Sequence, residues 1–174
     1  ILSYYKMSDW NMDDHAKTMI LNRIVSQPYF TELRTNQQLG YIAHGSGVWT
    51  EGFIGVEGML QSGKYSAKEL AEKSDQFLSG FMKDQTQKMT EVDLQPIKAA
   101  LVNELLTKPN TMNERFGVFK NQAFLYHGQF NIRQELADKI KATKAEDMKG
   151  FIKAKFVDKQ PARITLFYLG DGTK

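Results

Sequence analysis

"LRTNQQLGYI", residues 33–42, sets a cation (Arg34), three amides (Asn36, Gln37, Gln38), a glycine (Gly40) and a phenol (Tyr41) between apolar residues. Upstream, Ala16, Met19, Ile20 and Ile24 recur at helical spacing from Asp13 to Val25 until Pro28 interrupts them, and a second short helix is expected from about Tyr29 to Gln38. Downstream, "LGYIAHGSGVW" and "FIGVEGML" are β-rich and punctuated by glycine, which predicts two antiparallel strands reversing near Thr50, Glu51 and Gly52. The polar cluster therefore falls on a helix-to-strand corner. Leu33 and Leu39 are its core anchors.

Further out, "ILSYYKM" carries the β-branched and aromatic residues of a half-buried strand, and "SDWNMDD" supplies turn and capping groups. "SAKE" at 66–69 has the serine and glutamate of a capping box and opens a helix whose stripe includes Leu70, Phe77, Leu78 and Phe81. "TEVD" at 90–93 opens another, with Leu94, Ile97, Leu101 and Leu105 on one face, ending before Pro109. "TMNE" at 111–114 and "TKAE" at 143–146 begin two more, residues 132–142 form a helix between them, and "ARITLFYL" at 162–169 is a final strand. The predicted class is α+β: a single domain over 1–174 with an antiparallel sheet covered on one face by helices.

At 174 residues, with 41% hydrophobic and 25% charged residues, the chain can close a core of its own. A formal charge of +3, with Lys scattered among Asp and Glu, gives a weak field, so no nucleic-acid partner is expected. The absence of cysteine excludes disulfides, thiolate metal sites and a catalytic thiol. No apolar run approaches the roughly 20 residues of a membrane span, so no membrane partner is expected. The text opens at Ile1 directly in strand-like sequence and is expected to be a segment of a larger polypeptide.

The three histidines, His15, His44 and His127, are far apart, and none has a second at the i+4 spacing of a zinc-binding helix. His15, beside Asp13 and Asp14, is expected to be a solvated first-turn residue, His44 to pack on a strand face or meet solvent, and His127 to lie in a loop. "GSG" at 45–47 does not complete a serine nucleophile elbow, and no phosphate-loop spacing occurs. Read from chemistry alone, Arg34 is a cation at a helix C-terminus and Tyr41 a half-buried strand aromatic.

"QPYFTELRTNQQLGYI", residues 27–42, resembles a segment in the fourth domain of the insulinase/pitrilysin family of zinc metallopeptidases, nearer to the bacterial branch than to the animal one. "LQS" at 60–62, the helix opened at Ser66, "MTEVDLQPIKAALVNELL" and "RQELADKIKATKAEDMKGFIKAKF" resemble the following pieces of that domain, in order. The resemblance implies the C-terminal, non-zinc-binding domain of a metalloendopeptidase that encloses and cleaves peptides. Its partners would be the remaining domains of the same polypeptide and peptide substrates. No cofactor is implied in this chain; zinc is implied in the full-length enzyme, held by another domain through H-x-x-E-H, a motif this sequence lacks. The chain alone would be inert. Arg34 and Tyr41 are implied to be the catalytic-assisting residues, donors to the substrate or its oxyanion, with Gln38 anchoring the corner through its amide and Gly40 bending it as substrate-binding positions. The compartment stays open, with a periplasm implied on the bacterial side of the likeness. The alternative is a domain of a non-catalytic structural or partner subunit with the same fold. The glycine-rich hairpin has two readings, an edge to which an extended peptide adds, or relief of crowding against helices, the second preferred.

Overall fold

The computed structural model describes residues 1–50 and 52–170. Glu51, expected in the hairpin reversal, lies outside the described residues. The order is β1 (Leu2–Ser8), α1 (Met12–Phe30), a π-type turn (Thr31–Asn36), β2 (Ile42–Trp49), β3 (Ile54–Gln61), α2 (Ala67–Lys88) and α3 (Glu91–Leu106). It continues through α4 (Met112–Lys120), a second π-type turn (Asn121–Leu125), α5 (Ile132–Ala142), α6 (Ala145–Ile152), a third π-type turn (Lys153–Val157) and β4 (Ala162–Leu166). The four strands form one antiparallel sheet in the order β2-β3-β1-β4, as the α+β reading requires.

One face of the sheet is sealed. Along β1 the burial alternates, with Ser3, Tyr5 and Met7 inward and Leu2, Tyr4 and Lys6 outward, the signature of a strand covered on one side. The inward set meets Ile20, Leu21, Val25 and Tyr29 of α1, Leu78 and Met82 of α2, and Met148 and Ile152 of α6 in one core cluster. Three capping boxes stand where the sequence placed them, on Ser66 with Glu69, Thr90 with Asp93 and Thr111 with Glu114. The fourth start moves by one residue. Thr143 closes α5, and the Asp147 carboxylate accepts from Lys144 N–H at 2.9 Å to begin α6.

Pro28 does not end the first helix. Proline forfeits a single i→i−4 bond, and the neighbouring turn continues the ladder: the Thr31 N–H donates to the Gln27 and Pro28 carbonyls. The expected second helix is instead a six-residue π-type turn, wider than an α-turn by one residue. The final strand stops at Leu166 instead of Leu169.

The hairpin glycines relieve crowding. A Cβ at Gly45 would lie 2.6 Å from the Tyr29 ring, and one at Gly47 would lie 2.7 Å from the Thr18 carbonyl oxygen. The edge of β2 is closed from within, because Ala43 and Gly45 are buried and the Gly47 N–H donates to Asn22 Oδ1 at 3.1 Å.

Candidate functional site

The corner at 31–42 is pinned from both ends. Leu33 and Leu39 are fully buried, and the Leu39 N–H donates to the Leu33 carbonyl at 3.0 Å, so the intervening residues are thrown outward as a closed loop. Two amides lock it: Asn36 Nδ2 and Gln37 Nε2 donate to the Glu32 carboxylate at 2.8 and 3.0 Å, which holds that carboxyl below its usual range. Gln38 turns the chain with φ +51°, in the left-handed region. Its side chain is exposed and makes no hydrogen bond among the described residues, so the anchoring amides are those of residues 36 and 37.

Gly40 serves by being small. A Cβ there would sit 1.9 Å from the Gln61 carbonyl oxygen, so the chain passes against the end of β3 at backbone distance. The bend expected of Gly40 falls on Gln38 instead. Gly40→Ala is expected to cost about 2 kcal/mol in denaturant unfolding, because backbone and not a flexible side chain must give way. An unchanged midpoint would mean that the approach is looser than the geometry requires.

What remains are two residues whose polar groups make no hydrogen bond or ion pair among the described residues. Arg34 is half-buried, its guanidinium carbon 4.8 Å from the Phe30 ring centroid and 5.2 Å from that of Tyr41. It has no carboxylate partner and caps no carbonyl among the described residues. Tyr41 is 82% exposed and precedes β2 instead of lying within it, and its hydroxyl is unbonded among the described residues. A cleft of about 400 Å³ between α1 and β2 is lined by Asn22, Arg23, Ser26, Gln27, Phe30, Ala43 and His44; it shares Phe30 with the Arg34 contacts, and neither Arg34 nor Tyr41 lines it. Phe30 was not singled out in the sequence, although it stands four residues before Arg34, the spacing at which helical side chains meet.

The histidines divide. His44 is exposed on β2 and His127 lies in a turn at φ +49°. His15 contradicts its expectation. It is 1% exposed, with ring centroids 5.1 Å from Trp49, 6.1 Å from Tyr126 and 6.4 Å from Trp10, and neither ring nitrogen has a hydrogen-bond partner. Asn11 takes the capping role by accepting from the Asp14 N–H at 2.8 Å, which leaves His15 on the inward stripe with Met19. Burial pulls its pKa down to about 4. Among the described residues no three His, Asp or Glu side chains come together to hold a metal ion.

Residues 20–119 match the model of the family described as PQQ synthase PqqF-like, C-terminal lobe domain 4. The chain belongs to that family. This PqqF-like domain is 24% identical over 160 residues to the A-factor-processing enzyme of Saccharomyces cerevisiae, covering 90% of this chain and 15% of that protein. It is 26% identical over 154 residues to the insulin-degrading enzyme of Drosophila melanogaster, covering 87% of this chain and 15% of that protein. Its fold superposes on the crystal structure of pitrilysin with a TM-score of 0.79 at 20% identity, over 93% of this chain and 17% of that one. The PqqF-like domain thus spans about one sixth of the length of these proteins and is a C-terminal-lobe domain of the insulinase/pitrilysin type.

Proposed function

We propose that this PqqF-like domain is the substrate-facing C-terminal domain of a longer zinc metalloendopeptidase, and that Arg34 and Tyr41 donate hydrogen bonds to the peptide being cleaved. The observation that carries the reading is the guanidinium of Arg34, free of any carboxylate among the described residues and lying over the rings of an exposed Tyr41 and of Phe30, a residue that also lines the cleft between α1 and β2. A planar cation and a phenol O–H held in place before substrate arrives are suited to a carbonyl oxygen that gains negative charge. The two rings hold the guanidinium carbon at 4.8 and 5.2 Å from their centroids. On the same corner, Gln38 offers an exposed amide with no hydrogen bond among the described residues for contact with the substrate chain, and Gly40 lets the corner lie against the end of β3. Zinc, when bound, would polarise the peptide carbonyl and activate water, and the ligands for it are assigned to another domain.

A second feature supports the longer polypeptide. Helix α4 buries none of its residues and presents Met112, Phe116 and Phe119, at i, i+4 and i+7, to solvent. A nine-residue helix is marginal without a packed face, so such a stripe is suited to a neighbouring domain.

Metal analysis tests the assignment. The full-length polypeptide is expected to carry one zinc per chain through an upstream H-x-x-E-H, to hydrolyse peptides, and to lose both properties when reduced to these 174 residues. A full-length polypeptide with neither motif nor zinc would hand the domain to a structural or partner subunit.

A further inference from the structure

The sheet has two edges, and its own side chains close only one. At β2 the Asn22 amide occupies the outward Gly47 N–H and the strand centre is buried. At β4 every residue except the half-buried Thr165 is exposed, and no strand lies beyond it among the described residues. The register shows which groups are open. Ile1 and Leu60 exchange both backbone bonds, at 2.7 and 3.1 Å, so the odd residues of β1 face β3 and the even ones face β4. Leu2, Tyr4 and Lys6 pair with Leu166, Ile164 and Ala162, which turn their N–H and C=O groups inward. Arg163 and Thr165 therefore point theirs away from the sheet.

We propose that the open edge of β4 is completed by a fifth strand, an apolar extended segment supplied by the same polypeptide from outside these 174 residues. The proposal rests on the reading that this domain is part of a longer chain. Natural edges are guarded by lysine, proline, bulges or inward-pointing charge. β4 has one of these: Arg163, on the same face as Thr165, points inward and is tied down by the Asp75 carboxylate, so its charge is neutralised, and Pro161 precedes the strand. Its outer face adds Ile164, 66% exposed, and Leu166, with Phe167, Tyr168 and Leu169 exposed beyond them. The side chains on the other face are fixed, since the Thr165 hydroxyl bonds that of Ser3 at 3.0 Å. The result is a rigid ladder of two outward residues beside an apolar strip, complementary to a strand and not to a helix. A segment of the same chain fits best because the proteins it resembles are about six times longer, and tethering gives such a segment an effective concentration near the millimolar range.

Amide exchange decides it. The Arg163 and Thr165 N–H groups are expected to exchange rapidly in the 174-residue chain and at least about 100-fold more slowly in the full-length polypeptide. Thr165→Pro removes the outward donor together with the hydroxyl bonded to Ser3, and is expected to abolish the Arg163 protection and to lower the unfolding midpoint of the full-length protein more than Thr165→Val, which removes the hydroxyl and keeps the donor, while the two variants differ less in the 174-residue chain. Equally rapid exchange in both would overturn the proposal. Protection that rises with concentration of the 174-residue chain would assign the edge to a second copy, and protection seen only with added peptide would assign it to substrate; either outcome overturns it. Protected β4 amides together with parental turnover in Arg34→Ala would sink the site assignment and leave the fifth strand standing, and the reverse pair of results would do the opposite.

Discussion

In the full-length polypeptide, Arg34→Ala and Tyr41→Phe are each expected to lower peptide turnover about 100-fold while the unfolding midpoint stays close to the parental value. The combination is the diagnostic part. Neither residue carries a buried or ionic contact: Tyr41 is largely in solvent, and half-buried Arg34 has no ion pair and no carbonyl to cap among the described residues, only its cation–π contacts with Phe30 and Tyr41. Loss of such contacts shifts stability by about 1 kcal/mol, well below the effect expected on turnover. A loss near 100-fold corresponds to about 3 kcal/mol of transition-state stabilisation, the size of one donor removed from a developing oxyanion. Arg34→Lys is not expected to restore the rate, because an ammonium lacks the flat fork that lies over Phe30 and Tyr41. Parental rates in both single variants would remove the role assigned to them.

Acid weakens this domain through His15. Its imidazole is neutral in the fold, with a pKa of about 4, and titrates at its ordinary value of 6.5 once unfolded. Above pH 6.5 neither state takes up the proton and the group imposes no penalty. As pH falls from 6.5 to 4 the unfolded state binds a proton that the fold refuses, and stability drops by about 3 kcal/mol before levelling off. The cavity beside the ring also holds Glu104 and Arg133, but Glu104 is paired with Arg23 and the Arg133 guanidinium donates to the Glu104 and Thr107 carbonyls. No carboxylate is left to receive an imidazolium there. His15→Phe keeps an aromatic ring between Trp49 and Tyr126 and removes the proton site. Denaturant unfolding of the two proteins between pH 7.5 and 4.5 is expected to show a slope in the parent that is missing from the variant. Parallel curves would place the acid sensitivity elsewhere, for example in the carboxylates of Glu91 and Asp93, whose depressed pKa values act at lower pH.

The helix starts were legible in the sequence because a capping box is a local device: Ser66, Thr90 and Thr111 need only a partner three residues on. The buried anchors Leu33 and Leu39 were legible for the same reason, as apolar residues bracketing polar text. Pro28 was misread because its cost is one hydrogen bond, and packing of the surrounding α1 residues against the sheet outweighs it. His15 was misread because its acidic neighbours suggested solvent, although its i+4 relation to Met19 put it on the inward face. The function of Gly40 depends on Gln61, far away in sequence, and no local pattern carries it. The same holds for the β4 edge, whose open groups follow from register.

A phosphinic peptide, whose tetrahedral phosphorus imitates the attacked carbonyl, tests the central claim most directly. If Arg34 and Tyr41 hold the oxyanion, its inhibition constant rises across Arg34→Ala, Tyr41→Phe and the double variant in proportion to the fall in kcat/KM. An inhibition constant that stays at the parental value while kcat/KM falls would contradict the account, leaving the two residues a part in something other than the transition state.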